Sequence, residues 1–214
     1  MIAVHRDLRF LIPDVAVALS FKRLIDVIGA SVVFFLTLPI WIVVSLLIKI
    51  TSHGPIFFKQ RRVGLNGTTF TCLKFRTMCE GADEKKAALQ NINEMDGPIF
   101  KIRNDPRITP IGRFLRKYSL DELPQLINVL KGDMSLVGPR PPTPDEVMQY
   151  KRWHHMRLNV LPGLTCLWQT RARNMCSFDE GVRMDLEYVE NWNLMLDFKV
   201  LCDTIPAVLK GTGC

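Results

Sequence analysis

Val27-Ile28-Gly29-Ala30-Ser31-Val32-Val33-Phe34-Phe35-Leu36-Thr37-Leu38-Pro39-Ile40-Trp41-Ile42-Val43-Val44-Ser45-Leu46-Leu47-Ile48 is the stretch on which the fold turns. It carries no charge, and a helix of about this length, roughly 20 residues, matches the hydrocarbon thickness of a bilayer. It is too long for the core of a signal peptide, and no small-residue cleavage site follows it. Two details complicate an ordinary span. Pro39 lies near the middle, where it removes a backbone donor and kinks or breaks a helix. Basic residues flank both ends: Arg6, Arg9, Lys22 and Arg23 before the run, Lys49, Lys59, Arg61 and Arg62 after it. Such residues mark the cytoplasmic side, so both flanks claim the same side. Two arrangements answer this: a re-entrant helix that enters the cytoplasmic leaflet, turns at Pro39 and leaves where it entered, or a plain kinked transmembrane helix. In the first, carbonyls freed at the bend need partners within lipid, and the Thr37 hydroxyl stands ready to bond one of them. Asp26, at the edge of the run, needs no functional role.

Downstream of Thr51 the pattern becomes that of a globular domain. Ile56-Phe57-Phe58 and Thr69 to Leu73 read as strands around an Asn66-Gly67 hairpin turn. Ala82 to Gln90 is polar and rich in helix formers, and the following stretch to Pro110 reads as loop. Leu123, Leu126, Ile127 and Leu130 fall at i, i+3, i+4 and i+7, which predicts a helix. Ser119-x-x-Glu122 has the capping-box pattern for its start and Gly132 marks its end. Gly138-Pro139-Arg140-Pro141-Pro142 is a rigid connector. Further helices are expected over residues 144–159, 178–191 and 196–209. The expected architecture is α+β: an N-terminal membrane helix kinked at Pro39, then a small, mainly helical domain with a short β-hairpin. Residues 1–21 form an N-terminal segment, 22–50 the membrane helix and 51–214 the globular domain.

The formal charge of +7 suits nucleic acid, anionic lipid or a phosphate-rich substrate, and the long apolar run argues against nucleic acid. No Walker or dinucleotide glycine loop is present. The six cysteines, Cys72, Cys79, Cys166, Cys176, Cys202 and Cys214, form no C-x-x-C pair and read as reduced thiols facing the cytosol. His53, His154 and His155 have no metal-ligand spacing.

Asp121 and Glu122 are the carboxylates of interest. In the first turn of a helix they meet free N–H groups and the positive dipole end, which keep a carboxylate ionised and favour bound phosphate. An ionised Asp can attack phosphorus, and an adjacent Glu can hold Mg²⁺. Acidic residues in a first turn also serve for capping alone. Lys74, Arg76, Lys101, Arg103, Arg107, Arg113, Arg116 and Lys117 crowd around this point in the chain. Arg140 stands out among the cations because its flanking prolines fix its backbone.

An ordered series of segments resembles the bacterial sugar transferase family, the monotopic phosphoglycosyl transferases. It comprises Lys22-Arg23-Leu24-Ile25-Asp26, Gly54 to Gly64, Lys74-Phe75-Arg76-Thr77-Met78, Asp105 to Gly112, Arg116 to Leu126, Gly132 to Pro141, Pro162-Gly163-Leu164-Thr165 with Trp168-Gln169, and Asp185-Leu186-Glu187-Tyr188. The resemblance covers residues 22–213. It implies transfer of a hexose-1-phosphate from a UDP-sugar, glucose or galactose before an N-acetylated amino sugar, to undecaprenyl phosphate. Asp121 would form a covalent aspartyl phosphosugar with loss of UMP, and Glu122 would bind Mg²⁺. Lys74, Arg116, Arg140 and Asp185 match other active-site positions, phosphate contacts suiting the three cations. The resemblance also implies the re-entrant form of the membrane helix, a catalytic domain on the cytosolic face of the bacterial inner membrane, and the first step of an exopolysaccharide or other surface polysaccharide. The chain departs from the family pattern at Leu38, where serine usually precedes the proline, at Cys166, where glycine is usual, and at Thr170 to Arg173.

Overall fold

The computed structural model describes residues 13–171 and 177–211. Arg6, Arg9, Arg173, Cys176 and Cys214 lie outside the described residues.

The apolar run sits within a single helix, α1 (Pro13–Thr51), with Pro39 inside it. Only 17% of its most apolar window is buried. It is therefore not the core helix of a soluble protein, which would be covered on most sides. Phe35 and Leu36, beside Pro39, are 69% and 74% exposed. One side of α1 is nevertheless fastened to the rest of the chain at both ends. Near its start, Lys22 Nζ donates to the Val137 carbonyl at 3.1 Å and to Asp197 Oδ2 at 2.6 Å. Arg23 donates to the carbonyls of Val129 and Leu130 at 2.7 and 2.9 Å. Asp26, buried, accepts from the Ser135 hydroxyl at 3.0 Å and the Leu136 N–H at 2.9 Å. At the other end, Arg76 Nη2 donates to the Ser52 carbonyl at 2.9 Å and hydroxyl at 2.8 Å. Between these ends, Ala30 packs into a cluster with Leu126, Val129 and Leu136, and Trp41, Val44 and Ile48 join Phe75 and Leu115 in a second cluster.

The expected role of Thr37 is not realised. Pro39 frees the Phe35 carbonyl four residues earlier, whereas the Thr37 hydroxyl lies against the carbonyls of Val33 (2.7 Å) and Phe34 (3.3 Å), a position short of it. Thr37 instead accepts from the buried Trp41 indole at 3.3 Å, which satisfies that N–H across the proline.

The hairpin forms as read, with longer strands. β1 (Phe57–Val63) pairs antiparallel with β2 (Thr69–Phe75), Phe57 opposite Phe75 and Val63 opposite Thr69. Asn66 and Gly67, at φ 54° and 80°, supply the left-handed backbone of the connection. The polar stretch after it makes a 3₁₀ segment, Glu84–Ile92. A helix absent from the expected elements, α2 (Pro110–Lys117), follows; the Thr109 hydroxyl caps it by accepting from Gly112 N at 3.0 Å, and Pro110 opens it.

The capping box expected at Ser119 does not form. Ser119 has φ 55° and makes no side-chain cap, so residues 120–122 become a 3₁₀ turn, and the helix, α3 (Gln125–Lys131), starts later. Gly132, at φ 93°, ends it as expected. A short parallel pair joins β3 (Ser135–Val137) to β4 (Gly163–Thr165). The single helix expected over residues 144–159 divides into α4 (Pro144–Met148), begun by a Thr143/Glu146 capping box, and a 3₁₀ segment, Arg152–Asn159. α5 (Leu167–Arg171), α6 (Phe178–Glu190) and α7 (Leu194–Leu209) complete the chain; Ser177 and Asn193 cap the last two. The class is α+β, as expected. Cys72, Cys79, Cys166 and Cys202 are free thiols.

Candidate active site

Four pieces of chain converge on one open cleft of about 960 Å³. The end of β2 brings Lys74, α2 brings Arg116, the 3₁₀ turn before α3 brings Asp121 and Glu122, and the proline-rich turn after β3 brings Arg140. Five of the six residues singled out from the sequence thus line a single space. Asp185 does not: it lies on α6, 1% exposed, and its carboxylate is paired with Arg157.

The turn at Asp121 depends on a close approach. α2 rests on the strand end so tightly that a Cβ on Gly112 would lie 2.0 Å from the Thr77 carbonyl oxygen. That contact sets Arg116 over Thr77, whose hydroxyl accepts from Arg116 Nε at 2.9 Å. The left-handed Ser119 then reverses the chain and points two successive carboxylates to the cleft.

Asp121 is only 7% exposed. Burial pushes its carboxyl above the ordinary range; Lys74 and Arg116 pull it back, while Glu122 adds to the rise. Asp121 thus sits not in the first turn of an α-helix, as expected, but in the 3₁₀ turn before it, and burial opposes its charge. Lys74 Nζ holds Glu122 Oε1 at 2.6 Å and carries positive charge to the pair.

On the opposite wall Arg140 lies against Glu146, Nη1 to Oε2 at 3.0 Å and Nη2 to Oε1 at 3.4 Å. Burial works against both charges, but each stabilises the other: Arg140 is held above its ordinary range and Glu146 below. Arg62 stands beside them. Burial, then the neighbouring Arg140, bring it down to about 10, still protonated at neutral pH. Its guanidinium bonds Gln60 Oε1 through Nε and Nη2, and the Pro141 carbonyl through Nη1. Sequence reasoning took Arg62 only as a membrane-flanking charge and missed Glu146 and Arg157. The Thr143-x-x-Glu146 spacing was a legible capping signal, but its hold on Arg140 required the fold. Trp168 and Gln169 also line the cleft.

Among the described residues, no three His, Cys, Asp or Glu side chains gather around one point. Mg²⁺ does not need such a set, since it takes one or two carboxylates and completes its shell with substrate phosphates and water. Two adjacent carboxylates lining the cleft beside Lys74 and Arg116 fit that pattern.

Asp121 and Glu122, gathered with Lys74, Arg116 and Arg140 on one cleft, suit the class of enzymes that handle phosphorylated substrates. The chain belongs to the bacterial sugar transferase family, whose model matches residues 17–211. It is 44% identical over 196 residues to the exopolysaccharide production protein ExoY of Rhizobium meliloti, covering 90% of this chain and 87% of that protein. It is 38% identical over 209 residues to the UDP-glucose:undecaprenyl-phosphate glucose-1-phosphate transferase of Caulobacter vibrioides, covering 92% and 73%. It is 43% identical over 201 residues to the undecaprenyl-phosphate galactose phosphotransferase of Salmonella typhimurium, covering 90% of this chain but 41% of that longer protein.

Proposed function

We propose that this chain transfers a hexose-1-phosphate from UDP-glucose or UDP-galactose to undecaprenyl phosphate and so begins an exopolysaccharide. The observation that carries the reading is the convergence of Asp121 and Glu122 with Lys74, Arg116 and Arg140 on one cleft. The Caulobacter and Salmonella relatives, named for glucose-1-phosphate and galactose transfer to undecaprenyl phosphate, support the same reaction with glucose and galactose respectively.

An Asp121 oxygen attacks the sugar-bearing phosphorus of the donor. The bond to the bridging oxygen breaks, its electron pair leaves with UMP, and an aspartyl phosphosugar remains. An oxygen of the lipid phosphate then attacks the same phosphorus and restores the carboxylate. One phosphoanhydride is exchanged for another, so the reaction is close to balanced. Lys74 and Arg116 favour the charged form of Asp121 against the rise that burial imposes, and offset the negative charge brought by the diphosphate. Arg140, presented in a fixed turn, offers paired donors to a phosphate. Glu122, with Asp121, would hold Mg²⁺, which when bound neutralises diphosphate charge.

The arrangement of α1 supports a re-entrant helix at the inner membrane with the catalytic domain in the cytosol. Lys22, Arg23 and Asp26 at one end and Ser52 at the other are all bonded to the same polar domain. A straight span would carry one of those ends through about 30 Å of hydrocarbon.

The test is trapping. Incubation with radiolabelled UDP-hexose and Mg²⁺, without lipid acceptor, should leave a hexose-phosphate mass on the intact chain, and Asp121→Asn should lose both the adduct and UMP release. Chelation by EDTA should stop UMP release. Brisk turnover by Asp121→Asn would refute the nucleophile.

A further inference from the structure

The proline-rich turn that presents Arg140 is tied down in an unusual way. Four consecutive carbonyls each accept a hydrogen bond from another part of the chain: Pro139 from Gly163 N at 2.9 Å, Arg140 from Arg157 Nη2 at 2.9 Å, Pro141 from Arg62 Nη1 at 2.7 Å, and Pro142 from Val63 N at 2.9 Å. Three of those four residues are prolines, so the turn has almost no N–H groups with which to form secondary structure of its own. Its conformation is set from outside.

Two of the four donors are guanidinium groups, and Arg157 is the more deeply buried of them. It is 4% exposed, and a buried guanidinium is tolerated only where charge and donors are answered. Asp185 answers the charge, and the Tyr150 hydroxyl accepts from Nη1 at 3.0 Å, while Nε is buried without a partner. Neither Arg157 nor Asp185 lines the cleft. Arg140 is therefore held at two points: its backbone by Arg157 from behind, and its guanidinium by Glu146 in front.

Building on the transferase reading above, we propose that Arg157, ion-paired with Asp185, is a positioning residue that aims Arg140 at the donor diphosphate and touches no substrate itself. The pair acts on the Arg140 backbone, Arg157 at its carbonyl and Asp185 at its amide. A planar guanidinium reaches Tyr150, Asp185 and that carbonyl together, which the single ammonium of lysine cannot reproduce in the same geometry. Misplacing a phosphate-binding group by about 1 Å costs on the order of 10²-fold in rate.

A double-mutant cycle with the full-length chain in nanodiscs tests this. Arg157→Gln should lower kcat/KM by about 10- to 100-fold, mostly in kcat. Arg140→Ala should lower it at least as far. The double variant should be no worse than Arg140→Ala alone, while the fall in melting temperature due to Arg157→Gln should be the same in both backgrounds. Full additivity in kcat/KM would show that Arg157 acts independently of Arg140 and overturn the proposal. So would wild-type kcat/KM in a folded Arg157→Gln protein. Asp185→Asn, which conserves volume, gives the same reading should Arg157→Gln fail to fold. Hydrogen exchange at the Arg140 amide supplies a measurement that needs no turnover: it should quicken in Arg157→Gln and Asp185→Asn, and unchanged exchange overturns the proposal. A wild-type chain that released no UMP would count against the transferase reading, and the exchange result would still decide this one.

Discussion

Asp26 offers the sharpest quantitative prediction. One oxygen of its buried carboxylate accepts from both Ser135 Oγ and Leu136 N, which fastens α1 to β3. Asp26→Ala leaves a buried N–H and a hydroxyl without that acceptor, each costing about 1–3 kcal/mol. Removing a buried charge returns part of this, so the expected loss is about 2–4 kcal/mol. For a chain of this size that lowers the melting temperature by roughly 5–15 °C. Asp26→Asn should cost far less, about 1 kcal/mol, because the amide oxygen can keep both bonds and only their charge-assisted part is lost. Thermal unfolding in nanodiscs, followed by tryptophan fluorescence and in parallel by UMP release after heat challenge, measures both variants. An Asp26→Ala protein that melts within a degree of wild type, or an Asn variant as damaged as the Ala one, would refute the claim that two hydrogen bonds to this side chain secure the helix.

Gly112→Ala should reduce activity at least tenfold and cost about 1–3 kcal/mol of stability, because the added methyl must displace the Thr77 backbone and with it Arg116; steady-state kinetics and melting together check it. Asp185 is pushed up to about 6 by burial, against the pull of Arg157. Its unfolded value is about 3.9, so between about pH 4 and 6 the folded state binds more protons. The contribution of this group to stability is therefore full below that window and is lost as pH rises through it; denaturant titrations across pH 4–7 should show a slope that Asp185→Asn removes. Thr37→Val deprives the buried Trp41 N–H of its acceptor and should cost about 1–3 kcal/mol, read as a lower denaturation midpoint.

What the sequence disclosed and what it hid divide along physical lines. Local signals were readable: the Asn66-Gly67 turn, the length and apolarity of α1, the terminal helices and the glycine that stops α3. The start of α3 was misjudged because Ser119 has the right chemistry for a cap but adopts a left-handed backbone, which spacing does not encode. α2 was overlooked although Thr109-Pro110 is a sound N-terminal signal; the short helix has too few apolar positions to register as periodic. In the cleft, Lys74, Arg116, Asp121, Glu122 and Arg140 were all identifiable, Asp121, Glu122 and Arg140 because chemistry and resemblance coincided, Lys74 and Arg116 chiefly through the resemblance. Glu146, Arg62 and Arg157 were not, since their effect on Arg140 runs through contacts between residues 17 to 79 positions apart or through a capping role that looked complete by itself. The place of Asp185 behind the cleft wall likewise depends on how α6 packs.

The docking of α1 has a consequence for how such a protein comes into being. Trp41, Val44 and Ile48 make up three of the five buried members of the cluster that carries Phe75 and Leu115, and Ala30 and Phe34 complete the packing around Leu126 and Val129. The apolar helix is thus not an anchor tied to a finished enzyme but a structural wall of it. A fragment begun after Thr51 would lose that wall, so no soluble truncation should retain a formed reaction centre. A chain whose α1 has not yet found its apolar surroundings should accordingly be catalytically silent, with competence acquired only on arrival.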